Sequence, residues 1–353
     1  MRHPQTVIVT GAGGVGKTTI SAATAVRLAR PDRRTLVMTV DPARRLADAL
    51  DLRALSNEPS PVPGIGGLWA ATLDVTASWE AVIQRYSDPD VADRLLENPY
   101  FRAIADRFPA AQSFAAAETM ATLVESGTWD AIVVDTPPSA GGLDFFLAPS
   151  HTADLVGGKL LHWITGAQLP GRRFLYRFTG RPILRIADTV LGGPLLEDVA
   201  EFLLDLRTMY DRLAERAATI QRHQRRAATV VVTTADPAPL AEVLRFFEEL
   251  TEVAVHPDAV ILNRALPVAW VDAAARPLRG LSDDPALRAA LKANLARWGG
   301  EARRQAKALE GLAGRYGVPL LTVPWVAEPP TSVESLSWLL DDVANLDAVI
   351  AGD

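Results

Sequence analysis

The sequence contains no cysteine among its 353 residues. This absence excludes disulfides, thiolate metal sites and cysteine nucleophiles. No uninterrupted apolar run reaches the roughly 18 residues that a membrane-spanning helix requires. The chain also does not open with a basic segment followed by an apolar one, which would be the pattern of a secretory leader. We therefore expect a cytoplasmic protein.

Basic residues are outnumbered by acidic ones, 36 to 42. The formal net charge is −6 and the isoelectric point is about 5.5. Proteins dedicated to nucleic acid carry an excess of basic residues, so no nucleic-acid partner is expected. Lysine occurs only four times, and one of the four, Lys17, lies in the most informative stretch of the chain.

That stretch is glycine-rich and joins an apolar run to a helical pattern. It reads Gly-Ala-Gly-Gly-Val-Gly-Lys-Thr-Thr over residues 11–19. Strand, glycine loop and helix in this order predict a phosphate-binding loop, because the backbone N–H groups and the helix N-terminus converge on an anion. The predicted nucleotide-binding residues are Gly13, Gly14, Val15, Gly16, Lys17, Thr18 and Thr19. Lys17 is predicted to reach the β- and γ-phosphates and Thr18 to hold Mg²⁺.

Two acidic residues follow predicted strands, at the edge where ligands bind in open α/β sheets. Asp41 directly follows the predicted strand 35–40 and precedes Pro42. Taken alone, it fits a helix cap at least as well as a catalytic group. Asp135 ends the run 131–134 and has the form of a Walker B carboxylate, which holds Mg²⁺ directly or through water. The alternative interpretation of Asp135 is that its side chain caps the segment that follows.

Together, the glycine loop and the segment Thr-Val-Asp-Pro-Ala-Arg-Arg over residues 39–45 resemble the ArsA-type ATPases, a family of deviant P-loop proteins. The family includes arsenite-pump ATPases and ATPases that target tail-anchored membrane proteins. The resemblance implies that Asp41 orients the water that attacks the γ-phosphate. It also implies that Asp135, followed by Thr136 and Pro137, belongs to the second switch segment. The expected cofactors are ATP and Mg²⁺.

An asparagine and a glutamate are candidates for the base pocket. Asn263 ends the apolar run 259–262, and an amide can pair with an adenine edge through one donor and one acceptor. The family uses an asparagine at this position, so the resemblance implies adenine recognition. The alternative is an Asn that only starts a turn. Glu242 is a weaker candidate for the same pocket.

Alternation of strands and helices predicts an α/β fold with a doubly wound, mostly parallel sheet. The pattern also predicts a surface loop over 56–67, a long polar helix over 284–313 and a final helix over 332–346. We expect a single domain over residues 1–353 with helical segments at about 78–127 and 140–226 inserted as a subdomain. An apolar helical stripe over 195–213 and an arginine cluster from Arg172 to Arg185 lie in the second insertion. The stripe favours burial within the subdomain, with a groove for a hydrophobic client or membrane protein as the alternative. The cluster favours a solvated face over an acidic partner.

The sequence departs from the family at Ala12, where deviant loops usually carry a signature lysine that reaches across a dimer interface. This departure predicts a heterodimer in which a paralogue supplies the lysine. The alternative is a homodimer, or even a monomer, with slow hydrolysis. The loop resembles that of one member of the paired ArsA-like ATPases of actinobacteria. Two alternatives to an ATPase remain: a nucleotide-gated scaffold without turnover, and a positioning ATPase of the partitioning type. The acidic C-terminus disfavours the second alternative.

Overall fold

A computed structural model describes most of the chain. The described residues are 3–41, 44–98, 109–137, 143–149, 205, 208–252, 254–267, 269–270, 272, 284–341, 343 and 345–351. The chain divides into two compact units. One unit comprises residues 1–72, 124–143 and 225–353, and the other comprises 73–123 and 144–224.

The first unit is built on a sheet of eight strands. These are β1 Gln5–Gly11, β2 Thr35–Thr39, β3 Ser60–Pro61, β4 Leu68–Thr72, β5 Ala131–Asp135, β6 Ala228–Thr233, β7 Ala259–Ala265 and β8 Leu320–Pro324. Their spatial order is β3-β4-β2-β5-β1-β6-β7-β8. All neighbours pair in parallel except β3 and β4. The predicted α/β class with a mostly parallel sheet is confirmed.

Besides the helical residues 143–149, ten helices whose bounds are defined accompany the strands within the described residues. They are α1 Lys17–Leu28, α2 Arg45–Ala49, α3 Val75–Tyr86, α4 Pro89–Glu97, α5 Pro109–Glu125, α6 Tyr210–Arg226, α7 Pro237–Glu252, α8 Pro285–Tyr316, α9 Val333–Leu339 and α10 Leu346–Ala351. Parallel strands need such crossovers, which cover both faces of the sheet. Strands β1, β2, β5 and β6 are accordingly buried along almost their whole length.

Helix α1 starts directly at the glycine loop. Its N-cap residue, Gly16, has φ 96°, a left-handed conformation that glycine adopts at little cost. Small and apolar residues such as Ile20, Ala22 and Ala25 are fully buried on it. At its last turn, Arg27 donates to both carboxylate oxygens of Asp347 at 2.7 and 2.8 Å. The helix that carries the loop is therefore fixed at both ends.

Two local predictions differ from the structure. The sequence predicts one final helix over 332–346, but the structure has α9 and α10 with Asn345 between them at φ 64°. A side-chain-bearing residue in the left-handed region interrupts a right-handed helix. The predicted loop 56–67 contains the short strand β3, which pairs with β4 as an antiparallel edge.

The second unit is helical in its described parts, with a buried ion pair between α5 and α6. Arg216 and Glu118 have side chains only 9% and 5% exposed, and Arg85 approaches the same carboxylate at 3.4 Å. Trp79 stacks on Phe114, with ring centroids 5.1 Å apart. The arginine cluster 172–185 and the greater part of the stripe 195–213 lie outside the described residues. Of the stripe, Met209 and Leu213 are described and are buried, as predicted.

Candidate active site

The candidate site lies at the carboxyl edge of strands β1, β2 and β5. Asp135 on β5 is level with Val9 on β1 and with Thr39 on β2 in the sheet register. Strand β5 lies between β1 and β2 in space although it follows both in sequence. The register therefore places the Asp135 carboxylate between the loops that follow β1 and β2.

Asp135 is the acceptor of a hydroxyl network. Thr18 Oγ1 donates to its Oδ2 at 2.8 Å, and Thr39 Oγ1 donates to the same oxygen at 2.9 Å. Ser21 Oγ lies 3.4 Å from Oδ1. The two residues predicted to hold Mg²⁺, Thr18 and Asp135, are thus in direct contact. This contact joins the start of α1 to the end of β5.

Burial controls the charge of this carboxyl group. Asp135 is 1% exposed, and desolvation raises its pKa to about 6 because burial disfavours the ionised form. The hydrogen bonds from Thr18 and Thr39 and the charge of Lys17 oppose this increase, whereas Asp41 adds to it. A divalent cation at this position would favour the ionised form, as would be required of a metal ligand.

Lys17 is folded back over the loop. Its Nζ donates to the carbonyl oxygens of Gly11 at 2.9 Å and Ala12 at 2.8 Å. An ammonium group has three donors, so these two bonds leave one for a ligand. Desolvation lowers the Lys17 pKa, and the nearby carboxylates of Asp135, Glu242 and Asp41 oppose this change.

Asn263 braces the glycine loop from β7. Its Nδ2 donates to the Val15 carbonyl at 2.8 Å, and its Oδ1 accepts from the Arg264 N–H at 2.9 Å. A Cβ on Gly16 would lie 2.2 Å from this Nδ2, so only glycine permits the approach. An amide has a second donor and a second lone pair, and these remain for the predicted adenine contact. That role stays a prediction.

Asp41 is held by an arginine rather than by a helix end. Helix α2 starts at Arg45 with Arg44 as its N-cap, so Asp41 is not the capping residue that the alternative interpretation required. Arg45 Nη1 lies 3.1 Å from Asp41 Oδ2, and the Asp41 side chain is 11% exposed. Its backbone N–H donates to Thr39 Oγ1 at 3.2 Å. One threonine therefore connects both predicted acidic residues.

Glu242 lines a different cavity from the one that Asp41 lines. It belongs to α7 and, with Gly11, Ala12 and Arg245, lines a small cavity of about 80 Å³. The larger cavity, of about 390 Å³, is lined by the loop, by Asp41 and by Arg264. This placement gives Glu242 no contact with Asn263, its predicted companion in a base pocket, among the contacts of the described residues.

Thr39, Arg45 and Arg264 are site residues that the sequence reasoning missed. Thr39 and Arg45 flank Asp41, and their role depends on the register of β2 with β5 and on the turn before α2. No local residue pattern indicates the register of these strands or the turn before α2. Arg264 follows the predicted Asn263, so its proximity to the site could have been inferred from that position.

The residues present fit a nucleotide with Mg²⁺. The larger cavity has the volume of a small-molecule site, and the loop glycines 13 and 14 have open space where a side chain would project. Mg²⁺ is commonly held by one carboxylate, a hydroxyl and substrate phosphates, as Asp135 and Thr18 would allow. The described residues contain no group of three or more His, Cys, Asp or Glu that could form a protein-only metal cage.

The chain is similar to known proteins. The sequence profile of the anion-transporting ATPase family matches residues 4–276. The chain is 28% identical over 260 residues to the ATPase GET3 of Rhodotorula glutinis, a match that covers 74% of this chain and 70% of that protein. It is 29% identical over 273 residues to the arsenical pump-driving ATPase of Acidiphilium multivorum and 27% identical over 270 residues to that of Escherichia coli. Each of these two matches covers 75% of this chain.

The relatives differ from the chain in length. The match covers only 40% of each of the two arsenical pump-driving ATPases, so the chain corresponds to less than half of those proteins. Within the described residues, no helix combines the length and the hydropathy needed to cross a membrane. The resemblance inferred from the glycine loop and the segment 39–45 is confirmed, as is the prediction of an ATPase at the level of the family: the chain belongs to the family of anion-transporting ATPases.

Proposed function

We propose that this chain binds ATP with Mg²⁺ and hydrolyses its γ-phosphate bond. The observation that carries the proposal is the meeting of Thr18, Asp135 and Thr39 beside Lys17 at one edge of the sheet. A structural role alone would not require an ammonium, a buried carboxylate and a glycine loop in one place. Phosphoryl transfer depends on positioning and on charge stabilisation, and these groups supply both.

Each residue has a distinct task in the proposed reaction. The loop N–H groups from Gly13 to Thr19 bind phosphate oxygens, and Lys17 contributes its remaining donor. Thr18 and Asp135 hold Mg²⁺, which when bound would neutralise charge on the phosphates. Asp41 orients the attacking water, with its carboxylate positioned by Arg45. Asn263 reads the adenine edge. The earlier assignment of Glu242 to the base pocket has no support from its position beside Ala12.

The residue at the second position of the glycine loop, Ala12, bears on the oligomeric state of the chain. Ala12 is 3% exposed and has no charge to offer a phosphoryl group. We propose that the chain acts as a dimer and that a paralogue supplies the missing cation. A homodimer with slow hydrolysis is the alternative. Purified chain alone and chain mixed with candidate paralogues distinguish the two, since only a heterodimer should gain turnover on mixing.

The names of its relatives suggest the kind of partner with which the proposed ATPase acts. One relative is named for driving an arsenical pump, which makes a membrane protein a candidate partner and a cytoplasmic location at the membrane a candidate site of action. The absence of cysteine removes thiolate binding of arsenite. Nucleotide binding would be transmitted to the helical unit through the segments that contain Asp41 and Asp135, as switch loops do.

The substitution Asp41→Asn tests the enzymatic proposal. It keeps the size of the side chain and removes its charge, so hydrolysis should fall by about 100-fold or more while ATP affinity stays within about threefold. Phosphate release measures the first and titration calorimetry the second. Asp51→Asn is the matched control, because Asp51 is exposed in a left-handed conformation that Asn tolerates.

Two results would contradict the proposal. Folded wild-type chain that takes up no ATP in the presence of Mg²⁺ would exclude the nucleotide site. Wild-type chain that binds ATP but shows no turnover, alone or with paralogues, would instead support the nucleotide-gated scaffold. Ala12 is the observation that favours that second candidate, because the chain lacks the cation that the family places there.

A further inference from the structure

Arg264 occupies an unusual position at the end of strand β7. It is exposed, whereas every other residue of β7 is buried. The pairing of β7 with β8 shifts register between Leu262 and Ala265. Such an irregularity re-aims the side chain of the extra residue and is common beside functional sites. The shift places Arg264 in the lining of the larger cavity, with Gly14, Gly16 and Lys17 among its neighbours.

The backbone of Arg264 is held in a conformation that costs free energy. Its φ is 58°, in the left-handed region that disfavours a residue with a side chain. The conformation is fixed by the bond from the Arg264 N–H to Asn263 Oδ1 at 2.9 Å. The same amide donates to the Val15 carbonyl. Asn263 therefore ties the arginine to the glycine loop.

The guanidinium of Arg264 differs from the other cations of this cavity. Lys17 donates to two backbone carbonyls, and Arg45 pairs with Asp41. In the part of the chain that the structure describes, the Arg264 side chain makes no hydrogen bond and no ion pair. A cation with all five donors available thus lines the cavity beside the N-terminus of α1.

We propose that Arg264 binds the phosphate chain of the nucleotide and is a substrate-binding residue of this ATPase. The inference rests on the proposed function. A guanidinium presents a planar fork that matches phosphate oxygens and can bind two of them at once. The same cavity is lined by Gly14, Gly16, Lys17, Thr18 and Thr19, which are among the residues predicted to surround phosphates. The ligand class is therefore a polyphosphate anion, and the contact adds a positive charge that the glycine loop does not contain.

The test compares ATP with inorganic tripolyphosphate as calorimetric probes of wild-type chain and Arg264→Ala. A phosphate contact should weaken binding of both probes by about tenfold, because tripolyphosphate retains the anion and lacks the base. Arg264→Lys should recover part of the affinity, since it keeps the charge and loses the fork. The matched control is Arg303→Ala, which removes an exposed arginine on α8 and should leave both affinities unchanged.

A second variant, Arg264→Gly, separates loss of the guanidinium from loss of stability. Arg264→Gly removes the same guanidinium but relieves the left-handed conformation, so its thermal unfolding midpoint should equal or exceed that of wild type while binding weakens as in Arg264→Ala. Unchanged affinity of Arg264→Ala for both probes would overturn the inference and leave the ATPase proposal intact. Loss of ATP affinity with unchanged tripolyphosphate affinity would assign the arginine to the base and also overturn it. Wild-type chain that binds neither probe would overturn both proposals.

Discussion

Two cavities border the glycine loop and differ in character: the ligand side is the cavity that Lys17 lines, and the other side is the cavity that Ala12 lines. On the side of Lys17, the cavity of about 390 Å³ is lined by cations, by the carboxylates of Asp41 and Asp48 and by threonine hydroxyls. On the side of Ala12, the cavity of about 80 Å³ is lined by apolar residues of β6 and α7 together with Glu242, Arg245 and Glu249. Only the first has the size of a ligand site.

The difference shows how one short loop can separate two tasks. The backbone of the loop and the side chains from Lys17 onward serve the ligand side. Ala12 lines the other cavity and has a methyl group where the family usually carries a lysine. A change on the ligand side should therefore alter the chemistry of the chain itself. A change at position 12 should alter only what a second subunit or an added cation contributes.

Asp135→Asn should have the largest effect, on the ligand side. The amide cannot hold a divalent cation as a carboxylate does, so ATP hydrolysis should fall by about 100-fold or more. Phosphate release at saturating ATP and Mg²⁺ measures the loss. Asp130→Asn is the matched control, because Asp130 lies just before β5 and accepts from the Arg34 N–H at 2.8 Å, a bond that an amide oxygen can keep. Wild-type turnover in Asp135→Asn would show that this carboxylate is not a metal ligand.

Gly16→Ala should damage the loop itself. The new Cβ would clash with Asn263 Nδ2 at 2.2 Å, in a residue at φ 96°. The left-handed conformation alone costs about 1–2 kcal/mol, and displacement of the amide should add to it. Urea unfolding should show a stability loss of at least that size, and ATP affinity should also decrease. Gly300→Ala, at an open position of α8, should instead be neutral or slightly stabilising. Equal stability of the two variants would contradict the role of the Asn263 brace.

Ala12→Lys tests the other side of the loop. The new ammonium has carboxylates nearby, since Glu242 and Glu249 line the adjoining cavity. If a cation is what the chain lacks, turnover of the purified chain should increase by about tenfold, since positioned cations stabilise the charge of the transition state. Ala12→Met is the control for added volume and should not increase turnover. Identical rates for the two variants would mean that the missing charge does not limit hydrolysis.

Asp347→Asn should have the smallest effect, at the end of α1 that lies away from the loop. The hydrogen bond from Arg27 lowers the pKa of Asp347, so the pair stabilises the fold above the unfolded-state pKa of about 4 and loses this contribution as pH falls through the folded-state value. The Asp347 side chain is 70% exposed, so the loss at pH 7 should be below about 1 kcal/mol.

Urea unfolding at pH 7 and pH 3 measures this last effect. The difference in stability between wild type and Asp347→Asn should shrink at the lower pH, because the wild-type carboxyl group becomes protonated there. A difference that is unchanged or larger at pH 3 would contradict an ionic contribution. ATP affinity at pH 7 should be the same in both proteins, since the substitution is far from the ligand side of the loop.

Much of the fold could be predicted from sequence because its signals are local. The glycine loop, the apolar strands that end in Asp41 and Asp135, and the long helix α8 each have a pattern within one segment. The break between α9 and α10 was missed because it depends on one left-handed residue, Asn345, in a stretch whose helical pattern continues. The edge strand β3 has only two residues, too few for a periodic signal.

The residues expected to contact the ligand could be predicted from sequence. The hydrogen-bond partners that hold those residues in place could not. Thr39 was missed because its hydroxyl reaches Asp135 only through the register of β2 with β5. The bracing contact of Asn263 with Val15 joins residues 248 positions apart. Spacing within one segment carries no information about such contacts. The distinction between the two sides of the loop likewise required the placement of α7.

The Asp135 network also couples ligand recognition to the completion of folding. Its bonds join residues 117 and 96 positions apart in the chain, and they exist only after the last of three neighbouring strands has been inserted between the first two. Contacts of such long sequence separation form late and slowly. A nascent or partly folded chain would consequently present the glycine loop without its acidic partner, and high affinity for the nucleotide would report a finished central sheet.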